Sequence, residues 1–342
     1  MDSITQAALG ATLGGLVLGS RLGRTALIGG AVLGTLPDMD VVIDYGSAVA
    51  NFTQHRGFSH SLFVLIPLAV LLAYALHRWR PEISFTRWQL FTGLALVTHP
   101  LLDVFTTYGT QIFWPFGGPV AISSLFIIDP AYTLPLLIGV LVFLWRPTRL
   151  RPLAISAVLS TAYIGWSVAA QQMVAERVEP ILAERNVNEA PKLVQPMPFS
   201  TLLWRVTVLG PNERLEIVTG FLDGDQAPRV EVFDRDQTLA RAAHQLPEGQ
   251  RLAWFTRDFL AYHNASDELR ATDIRLGLPG AHPFTFVLAR QQNGEWQPLR
   301  SERTPRPSIQ DDMLSTLWRR ITGDVSVLCL ARLDTQTSTG EC

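Results

Sequence analysis

Lysine and cysteine are both scarce in the 342 residues. Lys192 is the single lysine among 28 basic residues, and the formal net charge of −2 gives no basic signal for nucleic-acid binding. Both cysteines, Cys329 and Cys342, lie near the C-terminus, so the first half of the chain offers no thiolate to a metal. Glycine-rich nucleotide-binding motifs and the G-x-S-x-G nucleophile elbow are also absent.

Charge is scarce in the first half of the chain and ordinary in the second. Residues 1–172 hold 16 charged residues, and residues 173–342 hold the other 42. The mean hydropathy of +0.20 is too high for a disordered chain. We therefore predict a mainly α, membrane-embedded helical domain over 1–172, a linker over 173–198, and a water-exposed α+β accessory domain over 199–342.

Five or six apolar segments are visible in residues 1–172, most of them shorter than the roughly 20 residues of an ordinary membrane-spanning helix. G-x-x-x-G spacings in the first two segments predict close helix packing, with small-residue drift as the alternative. Eight of the nine arginines lie in alternate connections, which the positive-inside rule places in the cytoplasm. The segments are 4–19, 25–36, 61–76, 88–105, 131–145 and 152–168.

Acidic and imidazole side chains collect in the opposite, outer connections. Ionisable groups are costly in a membrane and usually functional there, so this gathering predicts a site at the outer face. Incidental polar residues of outer loops are the alternative. The set is Asp2, Asp38, Asp40, Asp44, His55, His60, His99, Asp103 and Asp129, of which Asp2 and Asp129 are also suited to capping helices.

The segment His99-Pro-Leu-Leu-Asp103 carries the strongest chemical signal. Residues four apart share a helix face, so this imidazole and this carboxylate can reach one metal ion. Pro100 disfavours helix at His99 and can kink or start the helix there. A plain His–Asp hydrogen-bonded pair is the alternative.

Two further segments supply acids and histidines. In a turn, Asp38 and Asp40 can both point into one site, or one can bind metal while the other orients a histidine; a turn or cap is the alternative. His55 and His60 flank a glycine, and Ser59 or Ser61 can cap the next helix.

Together these residues predict a metal centre with nitrogen and oxygen ligands. Such ligands suit Zn²⁺, Mn²⁺ or Fe, and we take zinc as the expected divalent ion and manganese as the second choice. The ion would activate water for hydrolysis of a phosphoester, and two ions could clamp its oxygens. Asp38 or Asp40, if not a ligand, can act as general base, and Asp40 is the candidate we take. Arg56 is a candidate phosphate clamp because guanidinium binds oxyanions in a fork. The predicted ligands are Asp38, Asp40, His55, His60, His99 and Asp103.

Several motifs together resemble a bacterial family of inner-membrane metal-dependent hydrolases, also described as LexA-binding. The motifs are MDSITQAALGA, TLPDMD, HRGFSHSL, THPLLDVFTTYGTQIFWPF and FIIDPAYTLPLL, within about residues 1–145. That family is grouped with the zinc-dependent phospholipase C and P1 nuclease superfamily. The resemblance implies a helical site in which the H-x-x-x-D pair falls on His99 and Asp103. It also implies one earlier aspartate, Asp38 or Asp40, and one histidine, His55 or His60.

The sequence thus predicts a multi-pass enzyme of the bacterial inner membrane with its C-terminal domain in the periplasm. Its substrate would be a phosphoester at the periplasmic face, such as a lipid head group or a lipid-linked phosphate. A non-catalytic scaffold or regulator with a structural metal is the alternative, and a transporter is a further rival. The expected partners are the lipid bilayer, the substrate and a protein that binds the C-terminal domain.

The polar half shows the alternation of β-strands. Its histidines, His244, His263 and His282, have no metal-ligand spacing. Strands are predicted at 202–209, 214–221, 229–233 and 284–290, and helices at 238–244, 254–263 and 312–321.

Overall fold

The protein is described by a computed structural model that covers residues 1–307 and 312–333. The described chain divides into two compact units. The first contains residues 1–43, 54–169 and 198–200, and the second contains 44–53, 170–197 and the described residues from 201 onward. Cys342, and with it any pairing of the two cysteines, lies outside the described residues.

The first unit is helical, and each predicted apolar segment corresponds to a helix. Within the described residues, three helices are long and apolar enough to cross a membrane, Arg24–Val42, Leu62–Trp79 and Arg151–Glu184; Pro130–Trp145 is apolar but shorter. In chain order the helices are α1 Ser3–Leu22, α2 Arg24–Thr35, α3 Ala48–Gln54, α4 Leu62–Trp79, α5 Phe85–Asp103, α6 Pro130–Trp145 and α7 Arg151–Glu184, with α3 lying almost wholly in the second unit.

Glycines bring α1 and α2 into backbone contact. A Cβ atom on Gly30 would lie 2.1 Å from the carbonyl oxygen of Gly10, and a Cβ on Gly10 would lie 2.2 Å from that of Gly30. Any larger residue would force the two backbones apart, because no side-chain carbon tolerates such a distance. The predicted close packing at the G-x-x-x-G spacings is therefore present, and it fixes Gly34 beside the start of α1.

Side-chain caps set where the helices begin. The carboxylate of Asp2 accepts hydrogen bonds from the backbone N–H groups of Ile4 and Thr5 at the start of α1. Asp129 accepts from the N–H groups of residues 131 and 132 at the start of α6, where Pro130 takes the first position. Both aspartates are therefore accounted for as caps, and the cap of α4 is Ser61.

The described part of the second unit contains two four-stranded antiparallel sheets and several helices. Each sheet is a meander, in the order β1-β2-β3-β4 for the first and β5-β6-β7-β8 for the second. The strands are β1 Lys192–Pro196, β2 Leu203–Leu209, β3 Glu213–Gly220, β4 Arg229–Asp234, β5 Leu260–Ala265, β6 Glu268–Asp273, β7 Thr285–Gln292 and β8 Glu295–Arg303. The helices are α8 Gln237–His244, α9 Pro247–Thr256, α10 Met313–Ile321 and α11 Leu330–Leu333.

The predicted linker over 173–198 differs from the structure, which places the last turns of α7 and all of β1 there. An apolar stripe explains the longer helix, because burying it stabilises the helical turns that carry it. The predicted helix at 254–263 also differs, since α9 ends at Thr256 and Arg257 takes a left-handed φ of 54° before β5. The stripe consists of Ala170, Val174, Val178 and Leu182, packed in one core with residues of β2 and β3.

Candidate metal centre

Four side chains of the first unit each direct one donor atom into the same small volume. They are Asp38, His60, His99 and Asp103, and the four atoms lie within 4.8 Å of one another. The Nε2 atoms of the two histidines are 3.1 Å apart. Each Nε2 lies 3.3–3.5 Å from Oδ1 of Asp38 and from Oδ2 of Asp103. The H-x-x-x-D pair thus meets one aspartate and one histidine from the two earlier segments.

These five separations fit five of the six edges of a tetrahedron around one ion. Ligands about 2.0–2.1 Å from a metal are about 3.3–3.4 Å from one another in tetrahedral geometry. Oδ1 of Asp38 and Oδ2 of Asp103 are buried and accept no hydrogen bond from the described residues. Burying a carboxylate oxygen without a hydrogen-bond donor costs free energy of folding unless a cation binds to that oxygen. Two nitrogens and two oxygens are a donor set that zinc, manganese or iron accepts.

Different elements deliver the four ligands. Asp38 lies in the 3₁₀ helix Leu36–Val42 that continues α2, and His60 ends the short 3₁₀ helix Phe58–His60. His99 and Asp103 lie on the last turns of α5, which runs through Pro100 without a break. The i, i+4 face that the sequence predicts is therefore preserved, and of the two effects considered for Pro100, a kink or a helix start, the helix start is not observed.

Hydrogen bonds fix the tautomers of both ligand imidazoles. Nδ1 of His99 lies 2.5 Å from the carbonyl oxygen of Gly34, which can only accept, so Nδ1 donates. Ser59 Oγ gives its single proton to Asp40 Oδ2 at 2.6 Å and therefore accepts from Nδ1 of His60 at 2.9 Å. In both rings Nε2 is left with its lone pair for a metal.

Two neighbours also shape the charge at the centre. Gln6 Nε2 donates to Oδ1 of Asp103 at 3.1 Å and to the carbonyl oxygen of His99 at 3.2 Å, and the Met1 amino group also contacts Asp103. Burial opposes a charge on His60, yet Asp103 and Asp38 prevail and raise the pKa of its imidazole. The two carboxylates therefore favour a cation among these donor atoms.

Asp40 and His55 contact each other beside the four-donor group. His55 Nδ1 donates to Oδ1 of Asp40 at 2.7 Å, and Oδ2 of Asp40 also accepts from the backbone N–H of Arg56 at 2.9 Å. The 3₁₀ helix has three residues per turn, so Asp38 and Asp40 leave it in different directions. The structure thus gathers four of the six predicted ligands and places the other two in a neighbouring pair.

Arg56 lies against the centre with most of its hydrogen-bonding capacity unused. Its side chain is only 8% exposed, and its Nε is 3.3 Å from Asp103 Oδ2 and 3.9 Å from Asp38 Oδ1. That Nε donates no hydrogen bond to the described residues, and the other two nitrogens make only long ones: Nη1 donates to Thr106 Oγ1 and Nη2 to the Met1 carbonyl oxygen, each at 3.5 Å. The guanidinium lies over the ring of Tyr108, 5.2 Å from its centroid. A buried cation with long contacts can accept an anion.

Sequence reasoning missed three groups that orient the ligands. Gln6 carries a weak signal, since it is a lone amide in an apolar segment. The sequence predicts Ser59 only as a helix cap, and it bridges Asp40 and His60 instead. The carbonyl of Gly34 has no side-chain signature, because any residue type supplies a carbonyl.

Two bacterial proteins are similar to this chain. The inner membrane protein YbcI of Escherichia coli (strain K12) is 33% identical over 155 residues, which are 42% of this chain and 87% of YbcI. YfhP of Bacillus subtilis (strain 168), an uncharacterised protein, is 31% identical over 138 residues, or 38% of this chain. The chain spans 42% of the length of YfhP. No solved structure matches the chain.

A family model gives the broadest match. The model of the YdjM inner membrane protein matches residues 1–174, which is just over half of the chain. That range includes the four-donor group, the Asp40–His55 pair and Arg56. By this match the chain belongs to the YdjM inner membrane protein family.

Proposed function

We propose that the protein is a membrane-bound, metal-dependent hydrolase of a phosphoester and that the four-donor group is its active site. The observation that carries the proposal is the position of Arg56. A buried guanidinium with unused donors lies within 4 Å of both carboxylate oxygens that lack a hydrogen bond. A divalent cation beside a guanidinium is a pairing suited to binding a phosphate.

Asp38, His60, His99 and Asp103 would hold the ion, with zinc favoured and manganese the second choice. When bound, the ion supplies Lewis acidity towards the phosphoryl oxygens. Asp38 is 21% exposed at its side chain whereas the other three ligands are fully buried, so substrate would approach on the Asp38 side. Arg56 would then bind a phosphate oxygen and orient the phosphorus atom.

The Asp40–His55 pair would handle protons. Asp40 accepts a hydrogen bond from the Nδ1–H group of His55, which leaves Nε2 of His55 as the proton acceptor. The carboxylate of Asp40 already accepts three hydrogen bonds, so it suits the orienting role better than that of the base itself. The catalytic candidates are accordingly Arg56 and His55, with Asp40 behind His55.

The arginine distribution supports a multi-pass arrangement with the site at the periplasmic face and the C-terminal unit in the periplasm. The substrate would then be a lipid head group or a lipid-linked phosphate. A periplasmic reporter fused after residue 342 tests the topology. Activity of that reporter supports it, and activity of a cytoplasmic reporter at the same point contradicts it.

A non-catalytic scaffold or regulator is the second candidate, and one observation favours it. Four protein ligands fill a tetrahedron, as in structural zinc sites, whereas catalytic zinc sites commonly keep one position open. In that case the metal would hold the 36–60 segment against α5, and the C-terminal unit would carry the surface for a protein partner.

Hydrolysis of bis(p-nitrophenyl) phosphate and of phosphatidic acid vesicles distinguishes the two candidates. The purified protein is loaded with zinc or manganese in detergent. We expect metal-dependent turnover that falls about 100-fold in Arg56→Lys, since one lost charge-stabilising donor costs about that much. Arg290→Lys, at an exposed position of β7, is the matched control and keeps full turnover. A fully metal-loaded protein without turnover on either substrate would favour the scaffold.

A further inference from the structure

The chain leaves the first unit between two segments that carry the site. Asp38 and Asp40 precede this excursion, and residues 55–60 follow it. Residues 44–53, including nearly all of α3, pack inside the second unit. The site segments are thus joined by a stretch of chain that the second unit holds.

Apart from residues 44–53 and 170–174, the second unit lies beyond the family module. The YdjM family model ends at residue 174. YbcI, of which 155 residues make 87%, is too short to contain both units. The metal centre lies within the family module, so any influence of the second unit on that centre is particular to chains that carry it.

An aromatic cluster anchors α3 in the second unit. Phe52 is buried, with 7% of its surface exposed. Rings at this spacing and tilt attract one another and exclude water. Its neighbours are Phe255, Phe284 and Phe286, with ring centroids 5.2, 4.7 and 5.2 Å away.

Polar contacts hold both ends of α3. The backbone N–H of Val49 donates to Ser301 Oγ at 3.0 Å. Arg251 Nε donates to Thr53 Oγ1. With the rings, these contacts fix the residue pair 52–53 immediately before the chain returns to His55.

Hydrogen bonds to Asp40 join the segment that precedes residues 44–53 to the segment that follows them. One oxygen of Asp40 accepts from His55, and the other accepts from Ser59, whose hydroxyl accepts in turn from Nδ1 of His60. Only residues 41–43 separate Asp40 from the second unit, and three residues span at most about 10 Å. A continuous path therefore runs from the anchored helix through Asp40 and Ser59 to a donor of the metal centre.

We propose that Phe52 is a positioning residue of the metal centre, through which the C-terminal unit sets the affinity of the centre for its metal. Removal of the Phe52 ring would release α3 from its aromatic neighbours. The hydrogen-bonded contacts among Asp40, His55 and Ser59 would then lose order. Because His60 would have to be immobilised when the ion binds, metal affinity would fall. Partners that orient a metal ligand typically change metal affinity 10–100-fold. By linkage, metal binding in turn tightens α3 in the second unit. The proposal concerns metal affinity, so it stands or falls separately from hydrolysis.

Zinc affinity of the full-length protein, measured in detergent by competition with a chelating dye, tests the proposal. We expect Phe52→Ala to bind zinc at least tenfold more weakly and Arg251→Ala about threefold more weakly. The matched control is Phe233→Ala, which removes a fully buried ring from the first sheet of the same unit and keeps wild-type affinity. Phe52→Leu and Phe233→Leu form a gentler pair that keeps both proteins folded.

Cobalt(II) absorption shows whether the ligands themselves change. The four-coordinate d–d bands should persist in Phe52→Ala but change in Asp38→Asn, which removes a donor. Ser59→Ala should weaken zinc binding about tenfold, and Ser59→Thr, which keeps the hydroxyl, should restore it. Wild-type zinc affinity in Phe52→Ala and Phe52→Leu would overturn the proposal, as would an equal loss in the Phe233 variants or a folded wild type that binds no zinc.

Discussion

Buried carboxylates behave differently in the two units of this molecule. In the second unit three of the four buried carboxylates pair with arginine, among them Glu216 with Arg205 at 2.9 Å and Asp273 with Arg275 at 2.8 Å, and the fourth, Glu231, accepts from the backbone N–H of Ala331. Every carboxylate oxygen buried among the described residues of that unit has a hydrogen-bond donor. Such pairs neutralise charge and hold elements together, which is a structural role.

The first unit leaves two carboxylate oxygens open. Asp38 and Asp103 each direct one such oxygen towards two imidazole nitrogens that carry lone pairs. The nearby guanidinium of Arg56 does not donate to them with hydrogen-bond geometry. The comparison shows that burial of charge alone does not identify a site. The diagnostic feature is a set of acceptor atoms that converge without a donor between them.

The largest expected effect is the loss of zinc affinity when a ligand of the first unit is removed. His99→Ala and Asp103→Ala each remove one of four ligands, so zinc affinity should fall at least about 100-fold, since four ligands share about 10–16 kcal/mol of binding. Metal competition titration measures this. His77→Ala, at the other end of α4, is the control and keeps wild-type affinity, and a loss there equal to that in His99→Ala would contradict the assignment.

Removing one partner of a buried ion pair in the second unit should lower the free energy of unfolding and leave zinc binding unchanged. Glu216→Ala leaves Arg205 and Arg214 without their shared carboxylate, and breaking a buried pair costs about 3–5 kcal/mol. Thermal unfolding followed by circular dichroism measures the loss. Replacing the pair together, with Arg205→Met and Glu216→Leu, should restore part of it. Loss of zinc from the folded single variant would show that this pair serves the metal centre.

Helix packing in the first unit supports the centre. Gly30→Ala forces a methyl group into the backbone of α1, which should cost about 1–3 kcal/mol. Zinc affinity should fall as well, because Gly34 on the same helix orients His99. Gly93→Ala on α5 is the matched control, since a Cβ there meets nothing within 4 Å. Equal effects of the two substitutions on zinc affinity would contradict the packing argument.

The smallest expected effect concerns how the stability of the second unit depends on pH. Burial, helped by Arg205 and Arg214, lowers the pKa of His282 well below its usual value. The unfolded chain binds a proton near pH 6.5 that the folded unit does not, so stability falls as pH drops below that value. The slope is at most about 1.4 kcal/mol per pH unit. Unfolding of His282→Gln between pH 7.5 and 5.5 should show a shallower dependence than wild type, and an identical slope would exclude His282 as the cause.

Much of the first unit could be predicted from its sequence, because the length of an apolar segment and its lack of charge are properties of neighbouring residues. The apolar segments correspond to helices, and the H-x-x-x-D pair keeps one face of α5. Which of Asp38 and Asp40 faces the histidines could not be predicted, because it depends on the 3₁₀ turn after α2. The orienting carbonyl of Gly34 depends on packing between distant segments, which leaves no pattern in the sequence.

The second unit was predicted less completely. Strands β2, β3, β4 and β7 are confirmed, since β-branched and apolar residues mark them. Strand β8 was missed because it lies at a sheet edge with most of its residues exposed, so it has no apolar alternation. The place of α3 was also unpredictable, since Phe52 meets its aromatic neighbours across some 200 residues of chain.

The most direct test of the central claim is the zinc content and zinc coordination of the purified, folded wild-type protein. Mass spectrometry of the metal, with X-ray absorption of the same sample, gives both quantities. The account predicts one zinc per chain with two imidazole nitrogens and two carboxylate oxygens about 2.0–2.1 Å away. Two zinc ions per chain, a third imidazole ligand, or no bound metal after supplementation would contradict it.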